Sequence, residues 1–285
     1  MSTLRVVQLN MGSFFEPAWD RRRHEVVAWL DRLEPDVVCL QEVWEADGDE
    51  NTAGWLVEHA TAEWHWCFGG YPFPANLWPD QSLRFGSAIL SRWPIDHHEL
   101  VPLPIDDRPD PPNPVYRVQF ELLHARTAGI DMFSTHLAPP PDQAYHRTRQ
   151  VVFVDDAIRS RHDRQASPLP PILCGDLNAE PESDEVRFLT STAVLDGRST
   201  FFQDAWKVAG PEGDPGWTQH PRNENYAPFG LPRKRIDYVL VGDPYGRRGD
   251  GLVQGAALAF HEPLTGIVAS DHYGLVVDVG WPSRP

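Results

Sequence analysis

Short apolar runs that end in a polar, chemically reactive residue recur along this chain, and they constrain its fold more than any other feature. Residues 4–9 are mostly apolar and are followed by Asn10, and residues 37–40 run directly into Gln41 and Glu42. Runs of this kind predict strands. The uninterrupted run at 37–40 predicts a strand that is buried on both faces. The pattern recurs around six further polar residues: His136, Asp176, Asn178, Asp237, Asp271 and His272. Since strand ends gather at the rim of a sandwich, we expect these side chains to converge.

The apolar periodicity predicts about ten strands and two long helices. Strands are expected at residues 4–10, 36–43, 86–91, 115–123, 130–136, 171–175, 236–241, 253–260 and 272–279. Helices are expected over 17–33 and 142–161, where apolar side chains recur at spacings of three and four. Residues 69–83 and 195–235 lack a regular period and are predicted to be long ordered loops, the second with a short helix near 204–208.

This number of strands predicts two sheets rather than one. About ten strands exceed what one open sheet commonly holds, so two packed sheets flanked by helices are expected. The 285 residues fit a single domain, 1–285, since β-rich sandwiches reach about 250 residues as one domain.

The charge balance argues against one class of partner. The chain has 25 Lys and Arg against 41 Asp and Glu, a formal net charge of −16. Proteins that bind nucleic acid mainly through phosphate contacts present a basic face. In this chain the basic residues cluster only in short runs such as 21–23 and 233–235. The charge therefore disfavours non-specific DNA or RNA binding, although bound metal ions would mask part of the acidity.

The first residues and the cysteines indicate a cytoplasmic protein. Residues 1–9 show no secretory signal, and no stretch approaches the ~20 apolar residues that span a bilayer. Cys39 and Cys174 lie in strand-like apolar runs and are predicted to be buried thiols, which fits a reducing compartment. We expect a monomer without a transmembrane segment.

Carboxylates at the ends of apolar strands need a partner that compensates their charge. Glu42, Asp176, Asp237 and Asp271 together place several negative charges near one another, and burying an uncompensated carboxylate is costly. Mg²⁺ or Mn²⁺ resolves this conflict, because hard cations prefer oxygen ligands and retain bound waters. A metal ion beside a histidine commonly activates water at a phosphate centre.

Seven motifs, taken in order, resemble those of the endonuclease/exonuclease/phosphatase superfamily. They are Leu-Asn at 9–10, Leu-Gln-Glu at 40–42, Gly-Ser-Ala-Ile-Leu-Ser-Arg at 86–92, Ser-Thr-His-Leu at 134–137, Gly-Asp-Leu-Asn at 175–178, Arg-Ile-Asp-Tyr-Val at 235–239 and Ser-Asp-His at 270–272. The superfamily includes pancreatic-type deoxyribonucleases, abasic-site endonucleases, neutral sphingomyelinases, inositol-phosphate 5-phosphatases and tyrosyl-DNA phosphodiesterases. The resemblance implies an α/β (α+β) fold, a four-layer αββα sandwich of two packed mixed β-sheets flanked by helices, and a metal-dependent phosphoesterase.

The resemblance also implies a role for each motif residue. Glu42 is the expected principal metal ligand, with Asn10 beside it and Asp271 completing or approaching the metal shell. His272 is expected to act on the proton of the attacking water, oriented and made more basic by Asp237.

Three more motif residues are expected to act at the phosphate. Asp176 aligns or deprotonates the nucleophile, and Asn178 and His136 donate hydrogen bonds to phosphoryl oxygens. The sequence leaves open how the role of base divides between Asp176 and His272. No residue of this core set is missing, which favours an active enzyme over a non-catalytic binding module on the same fold.

Six loop residues are candidates for substrate binding: Tyr71, Trp78, Tyr116, Arg117, Asn223 and Asn225. The aromatic side chains in 69–83 either stack on the substrate or pack against their own domain, and residues 116–117 either reach the site or form a strand edge. Residues 216–225 resemble a loop of sphingomyelinase-like and tyrosyl-DNA phosphodiesterase-like members, where one asparagine lies near the phosphate.

Two substrate classes are compatible with the sequence. The acidic charge favours a phosphate ester or diester of a small molecule or lipid head group. A nuclease or DNA-repair phosphodiesterase is supported by the superfamily and opposed by the charge.

Overall fold

Two six-stranded sheets face each other in the structure, a computed structural model that describes residues 2–46, 50–74, 77, 83–105, 117–244 and 249–281. The first sheet contains, in spatial order, β11 (Val253–Ala259), β12 (Gly274–Gly280), β1 (Thr3–Asn10), β2 (Val37–Ala46), β4 (Leu83–Ser91) and β3 (His65–Pro72). The second contains β5 (Ile95–Pro102), β6 (Glu121–Thr127), β7 (Ile130–His136), β8 (Ile172–Asp176), β10 (Asp237–Gly242) and β9 (Phe202–Asp204).

Each sheet is mixed, with one parallel pair whose strands are joined by a long helix. Helix α1 (Trp19–Leu33) connects β1 to β2, and α3 (Ala144–Arg161) connects β7 to β8, as parallel pairing requires. Helices α1 and α2 (Thr52–His59) cover the first sheet, and α3 and α4 (Asp184–Leu189) cover the second. The short α5 (Ala205–Ala209) packs on β10 and β11. These four layers confirm the predicted αββα sandwich.

An apolar interior joins the two sheets over most of their length. It is formed by inward-facing aliphatic side chains such as Val6, Met132 and Val277, all at most 1% exposed. Fully burying a side chain of this size contributes about 1.5–3 kcal/mol. Cys39, Cys67 and Cys174 are free and buried in this interior. The prediction of buried thiols at Cys39 and Cys174 is thereby confirmed.

The strand predicted at 115–123 is wrong in its position. Strand β6 begins at Glu121, and the described residues 117–120 form no strand. Val118 and Phe120 are nevertheless buried in the core. A loop that contributes apolar side chains to the core therefore imitates a strand in the sequence.

Residues 69–72 are predicted to be loop but belong to β3. Gly70 pairs there with Gly86, and the carbonyl oxygen of Phe85 lies 2.7 Å from where a Cβ would stand at position 70. The glycine thus permits close strand packing rather than a turn. The pattern also does not predict the edge strand β5, whose largely exposed, polar sequence is typical of a protected edge.

An irregularity in β2 orients Glu42 toward the rim of the sandwich. The pairing of β2 with β4 shifts register between Leu40 and Val43, and Glu42 has φ 56°. A bulge of this kind re-aims a side chain, and a left-handed conformation outside glycine is a strain often found at functional sites. Gln41 donates to Ser134 Oγ of the opposite sheet at 3.0 Å, while Glu42 lies beside Asn10.

Candidate active site

Strand register brings the predicted polar residues to one end of the sandwich. In the second sheet, His136 pairs with Asp176, and Asp176 pairs with Asp237, across three neighbouring strands. In the first sheet, Asn10 ends β1 next to the bulge of β2. The turn at residues 271–272, before β12, adds an aspartate and a histidine to the same rim. The structure therefore brings all eight core residues together.

A buried histidine–aspartate pair lies at the centre of this rim. His272 Nδ1 is 2.8 Å from Asp237 Oδ2, and both side chains are buried. Gln8 Nε2 donates to Asp237 Oδ1 at 2.9 Å and to Gln41 Oε1 at 2.8 Å. Asp237, on the second sheet, is thus fixed by Gln8 of the first sheet and by His272 of the turn before β12, and it holds the proton of His272 on Nδ1.

The other ring nitrogen of His272 faces more carboxylates. Nε2 lies 3.8 Å from Asp176 Oδ2 and 3.7 Å from Asp271 Oδ2. Burial alone lowers the pKa of His272, but the charges of Asp237, Asp271 and Asp176 raise it well above the usual range. The Gln219 amide nitrogen is 2.9 Å from Nε2, and rotating that amide presents either a donor to a neutral ring or an acceptor to a protonated one.

Asn10 connects two carboxylates that lie on different sheets. Its Nδ2 donates to Glu42 Oε1 at 3.0 Å and to Asp176 Oδ2 at 3.1 Å. Burial and the charge of Asp271 raise the pKa of Glu42 to about 8. Burial and the charge of Asp237 raise the pKa of Asp176 to about 7. Both carboxylates are therefore short of compensating positive charge.

The donor set fits a divalent metal ion. Ligand atoms of Asp176, Asp237 and His272 lie within 4.8 Å of one another, and Glu42 and Asp271 add carboxylate oxygens at the same rim. A set dominated by carboxylate oxygens suits hard cations such as Mg²⁺ and Mn²⁺. A cation there also removes the repulsion that raises the pKa values of these acids.

His136 and Asn178 border the same rim as neutral donors. Burial and the neighbouring charge of His272 lower the pKa of His136 to about 3, which leaves its ring neutral. Its Nε2 lies 3.6 Å from Asp176 Oδ2, and its buried Nδ1 has no hydrogen-bond partner among the described residues. Asn178, at φ 46°, donates its backbone N–H to Asp176 Oδ1 at 2.8 Å and its side chain to Leu137 O at 3.1 Å.

Both candidate asparagines support the turn that carries Asp271. Asn223 Nδ2 donates to the carbonyl oxygens of Ser270 and Asp271 at 2.8 and 3.0 Å. Asn225 Nδ2 donates to Val268 O at 3.4 Å. These contacts hold both side chains against the backbone. Gln219, from the same segment, is the residue that contacts His272.

Two of the other four loop candidates are among the described residues. Tyr71 is half-buried on β3, and Arg117 is exposed before β6. Trp78 and Tyr116 lie outside the described residues.

Three residues of the rim are not predicted from the sequence pattern: Gln8, Glu16 and Gln219. Gln8 gives a usable signal, since it is a neutral polar residue between Val7 and Leu9 in the buried part of its strand. Glu16 gives none, because it lies in the loop after β1 and is nevertheless buried. Burial and the charges of Asp271 and Glu42 raise the pKa of Glu16 to about 9.

An aromatic surface, which we call the aromatic wall, borders the rim on one side. It consists of Phe14, Phe15, Trp44, Phe73 and Phe85. Phe14 and Phe15 are 36% and 45% exposed. The Phe15 ring lies 5.7 Å from Phe85, whose ring lies 6.2 Å from His136. The wall therefore presents apolar surface next to the site.

The model of the Endonuclease/Exonuclease/phosphatase family matches residues 7–272. The chain belongs to this family, whose members are metal-dependent phosphoesterases. No curated protein sequence matches the chain significantly.

Several solved structures share the fold. A D. rerio TDP2 humanized by 14 mutations superposes with a TM-score of 0.72 at 19% identity, covering 98% of this chain and 100% of the other. An endonuclease/exonuclease/phosphatase from Bacteroides vulgatus gives 0.68 at 16% identity, covering 99% and 100%. One from Beutenbergia cavernae gives 0.65 at 21% identity, covering 100% and 73%. At these identities the likeness establishes the sandwich fold.

None of the helices in the described segments has the length and apolar character needed to traverse a bilayer.

Proposed function

We propose that this phosphoesterase uses water to hydrolyse a phosphate ester or diester of a small molecule or lipid head group, with Mg²⁺ or Mn²⁺ held by Glu42 and Asp271 beside Asn10. The observation that carries the proposal is the buried His272–Asp237 pair within a cluster of carboxylates that the described cations do not balance. When bound, the divalent ion supplies electrostatic stabilisation of the charge on the phosphoryl oxygens.

Asp176 is the general base in this proposal. Without metal, burial and the neighbouring charge of Asp237 raise its pKa to about 7. A bound cation lowers this pKa, so at neutral pH the carboxylate is ionised and accepts a proton from water. The backbone N–H of Asn178 and the side chain of Asn10 fix the orientation of its two oxygens.

His272 acts as a charged donor rather than as the base. Its raised pKa keeps the ring protonated near neutral pH, and Asp237 fixes its orientation through Nδ1. Nε2–H then donates to a phosphoryl oxygen, where negative charge is greatest in the transition state. His136 and Asn178 add neutral donors from the second sheet.

The aromatic wall supports an ester with an apolar or aromatic substituent. Phe14 and Phe15 leave a large part of their rings exposed beside the rim, and aromatic faces bind apolar or ring-shaped groups. The net charge of −16 also favours a substrate that carries one phosphate over a polyanion.

A hydrolysis assay tests the reaction. With Mg²⁺ or Mn²⁺, wild type is expected to release p-nitrophenol from bis(p-nitrophenyl) phosphate and p-nitrophenyl phosphorylcholine. EDTA should abolish release, and His272→Gln should lower kcat by about 10²–10⁴. Wild-type rates in the presence of EDTA or in the variant would refute the assignment.

DNA is the second candidate, and it is favoured by the segment that carries Gln219. Arg233 stacks on Trp217 at 3.9 Å, and Arg222 is exposed nearby in the segment that reaches His272 through Gln219. A cationic, aromatic flank suits a nucleotide chain. One structure that shares the fold, at 20% identity, is a D. rerio TDP2 complexed with a single-strand DNA product.

The same assay separates the candidates when extended to thymidine 5′-(p-nitrophenyl phosphate) carrying a 3′ oligonucleotide. A small-molecule enzyme loses kcat/KM on the short aryl esters in Phe15→Ala and is unaffected by Arg233→Ala. A DNA enzyme prefers the oligonucleotide and loses that preference in Arg233→Ala, with a steep salt dependence.

A further inference from the structure

Glu16 has a buried carboxylate that takes no part in the proposed mechanism. Its side chain is 7% exposed, although it lies in the loop between β1 and α1. Its Oε2 is buried and has no hydrogen-bond partner among the described residues. Leaving a carboxylate oxygen without a donor in such a place costs free energy unless a cation compensates it.

The nearby Arg22 does not donate to this carboxylate. Its Nη2 lies 4.0 Å from Glu16 Oε2, outside hydrogen-bonding distance. All of its N–H groups are used by backbone carbonyl oxygens: those of Met11, Ser13, Glu16, Pro17 and Ala269. A guanidinium has five N–H donors, so Arg22 holds the loop in place and has none left for the Glu16 side chain.

The Glu16 carboxylate instead points toward the rim. At Gly12, which has φ 58°, a Cβ would overlap Glu16 Oε2 and would come within 3.1 Å of Asp271 Oδ1. The absent side chain at position 12 therefore leaves the space in which the carboxylates of Glu16 and Asp271 face each other. Asp271 in turn faces His272 Nε2 through its other oxygen.

We propose that Glu16 is a further ligand of the divalent metal ion, supplying an oxygen next to that of Asp271. This inference rests on the metal centre of the proposed function. An extra carboxylate raises the negative charge of the ligand set, which strengthens binding of a divalent cation.

Mn²⁺ titration calorimetry on the metal-free full-length chain tests the proposal. Glu16→Gln keeps the shape of the side chain and removes its charge, and it is expected to raise the Kd for Mn²⁺ by about 10- to 100-fold. Glu121→Gln is a matched control. Glu121, on β6, is also a buried glutamate with one oxygen that has no hydrogen-bond partner among the described residues, but Ser87 donates to its other oxygen at 2.9 Å. Burial raises the pKa of Glu121 without any contribution from the rim carboxylates, so Glu121 is not part of that cluster. Its Kd should equal that of wild type.

Far-UV circular dichroism and the melting temperature in EDTA show whether the Glu16 variant is folded. A folded Glu16→Gln protein that binds Mn²⁺ as tightly as wild type would overturn this inference alone. It would mean that Glu16 stays protonated and does not bind the ion. Failure of wild type to bind Mn²⁺ would overturn both the inference and the proposed function. Weakened binding in both Glu16→Gln and Glu42→Gln, with Glu121→Gln unchanged, supports both.

Discussion

Two buried histidine–aspartate clusters lie at opposite ends of β7, and they differ in charge balance. At the start of the strand, Asp131 Oδ1 is 3.0 Å from His124 Nε2, and Asp131 Oδ2 is 2.9 Å from His162 Nδ1. At the other end, the pair formed by His272 and Asp237 faces additional carboxylates. Histidine and aspartate thus pair at both ends, but nearby positive groups compensate the negative charge only at the Asp131 end.

The pKa directions express this difference. Burial alone would raise the pKa of Asp131, but hydrogen bonds from His124 and His162 and the charge of Arg126 lower it to about 2. At the other end, burial and neighbouring acids raise the pKa of Glu42 to about 8. A buried pair stabilises the fold where the protein supplies enough positive charge, and it indicates a cation-binding functional site where the protein does not.

Spacing suitable for ligands is a weaker criterion than charge balance. His97, Glu99 and His124 also place ligand atoms within 4.8 Å of one another. However, both oxygens of Glu99 accept hydrogen bonds from Arg161, at 2.8 and 2.9 Å. The protein itself compensates this carboxylate, so the group resembles the Asp131 end of the strand.

The largest expected effect comes from Asp237→Asn. Loss of the carboxylate removes the group that orients His272 and maintains its charge, so kcat on bis(p-nitrophenyl) phosphate should fall by about 10²–10⁴. The free energy of unfolding should change little or rise, because one negative charge leaves an over-acidic rim. Kinetics and urea denaturation measure the two quantities.

The matched variant Asp131→Asn should behave in the opposite way. It removes the negative charge and one of the two acceptor oxygens that two imidazoles and a guanidinium share, and breaking a buried ionic group of this kind costs about 3 kcal/mol of stability. Turnover per folded molecule should stay at the wild-type value. If Asp131→Asn abolished turnover and Asp237→Asn only destabilised the protein, the comparison would be reversed.

A smaller effect is expected in the pH dependence of stability without metal. Glu42 and Asp176 have raised pKa values in the folded chain, so the folded state binds more protons than the unfolded state above about pH 4. Stability therefore falls as pH rises from about 5 to 8, and the melting temperature in EDTA should drop by about 5 °C or more. The lowered pKa of Asp131 acts in the other direction, with stability lost as pH falls from about 4 to 2.

Saturating Mn²⁺ should restore the melting temperature at pH 8 more than at pH 5. Burial also raises the pKa of Glu121 to about 8, with no contribution from the rim carboxylates. The part of the pH-dependent loss of stability that is due to Glu121 should therefore persist with metal and vanish in Glu121→Gln. A metal-free protein that melts higher at pH 8 than at pH 5 would contradict the predicted sign.

The strand-end residues are predictable from the sequence because strand ends meet at a sandwich rim whatever the loops do. Asp176 and Asp237 follow this rule and pair directly. Gln8 and Glu16 do not, because their role depends on partners from distant segments. Gln8 lies 229 residues from the aspartate to which it donates. The position of Glu16 depends on a loop anchored by Arg22, for which the local sequence has no distinctive pattern.

In the proposed site a divalent cation compensates the acids of the rim, and proton release on metal binding is the direct readout of that compensation. Mn²⁺ is titrated into metal-free protein at pH 7 in two buffers that differ in ionisation enthalpy. Because Glu42 and Glu16 have pKa values raised to about 8 and about 9, binding should release at least about one proton per ion, and fewer at pH 9. Binding without proton release at pH 7, or release unchanged in Glu42→Gln, would contradict the account.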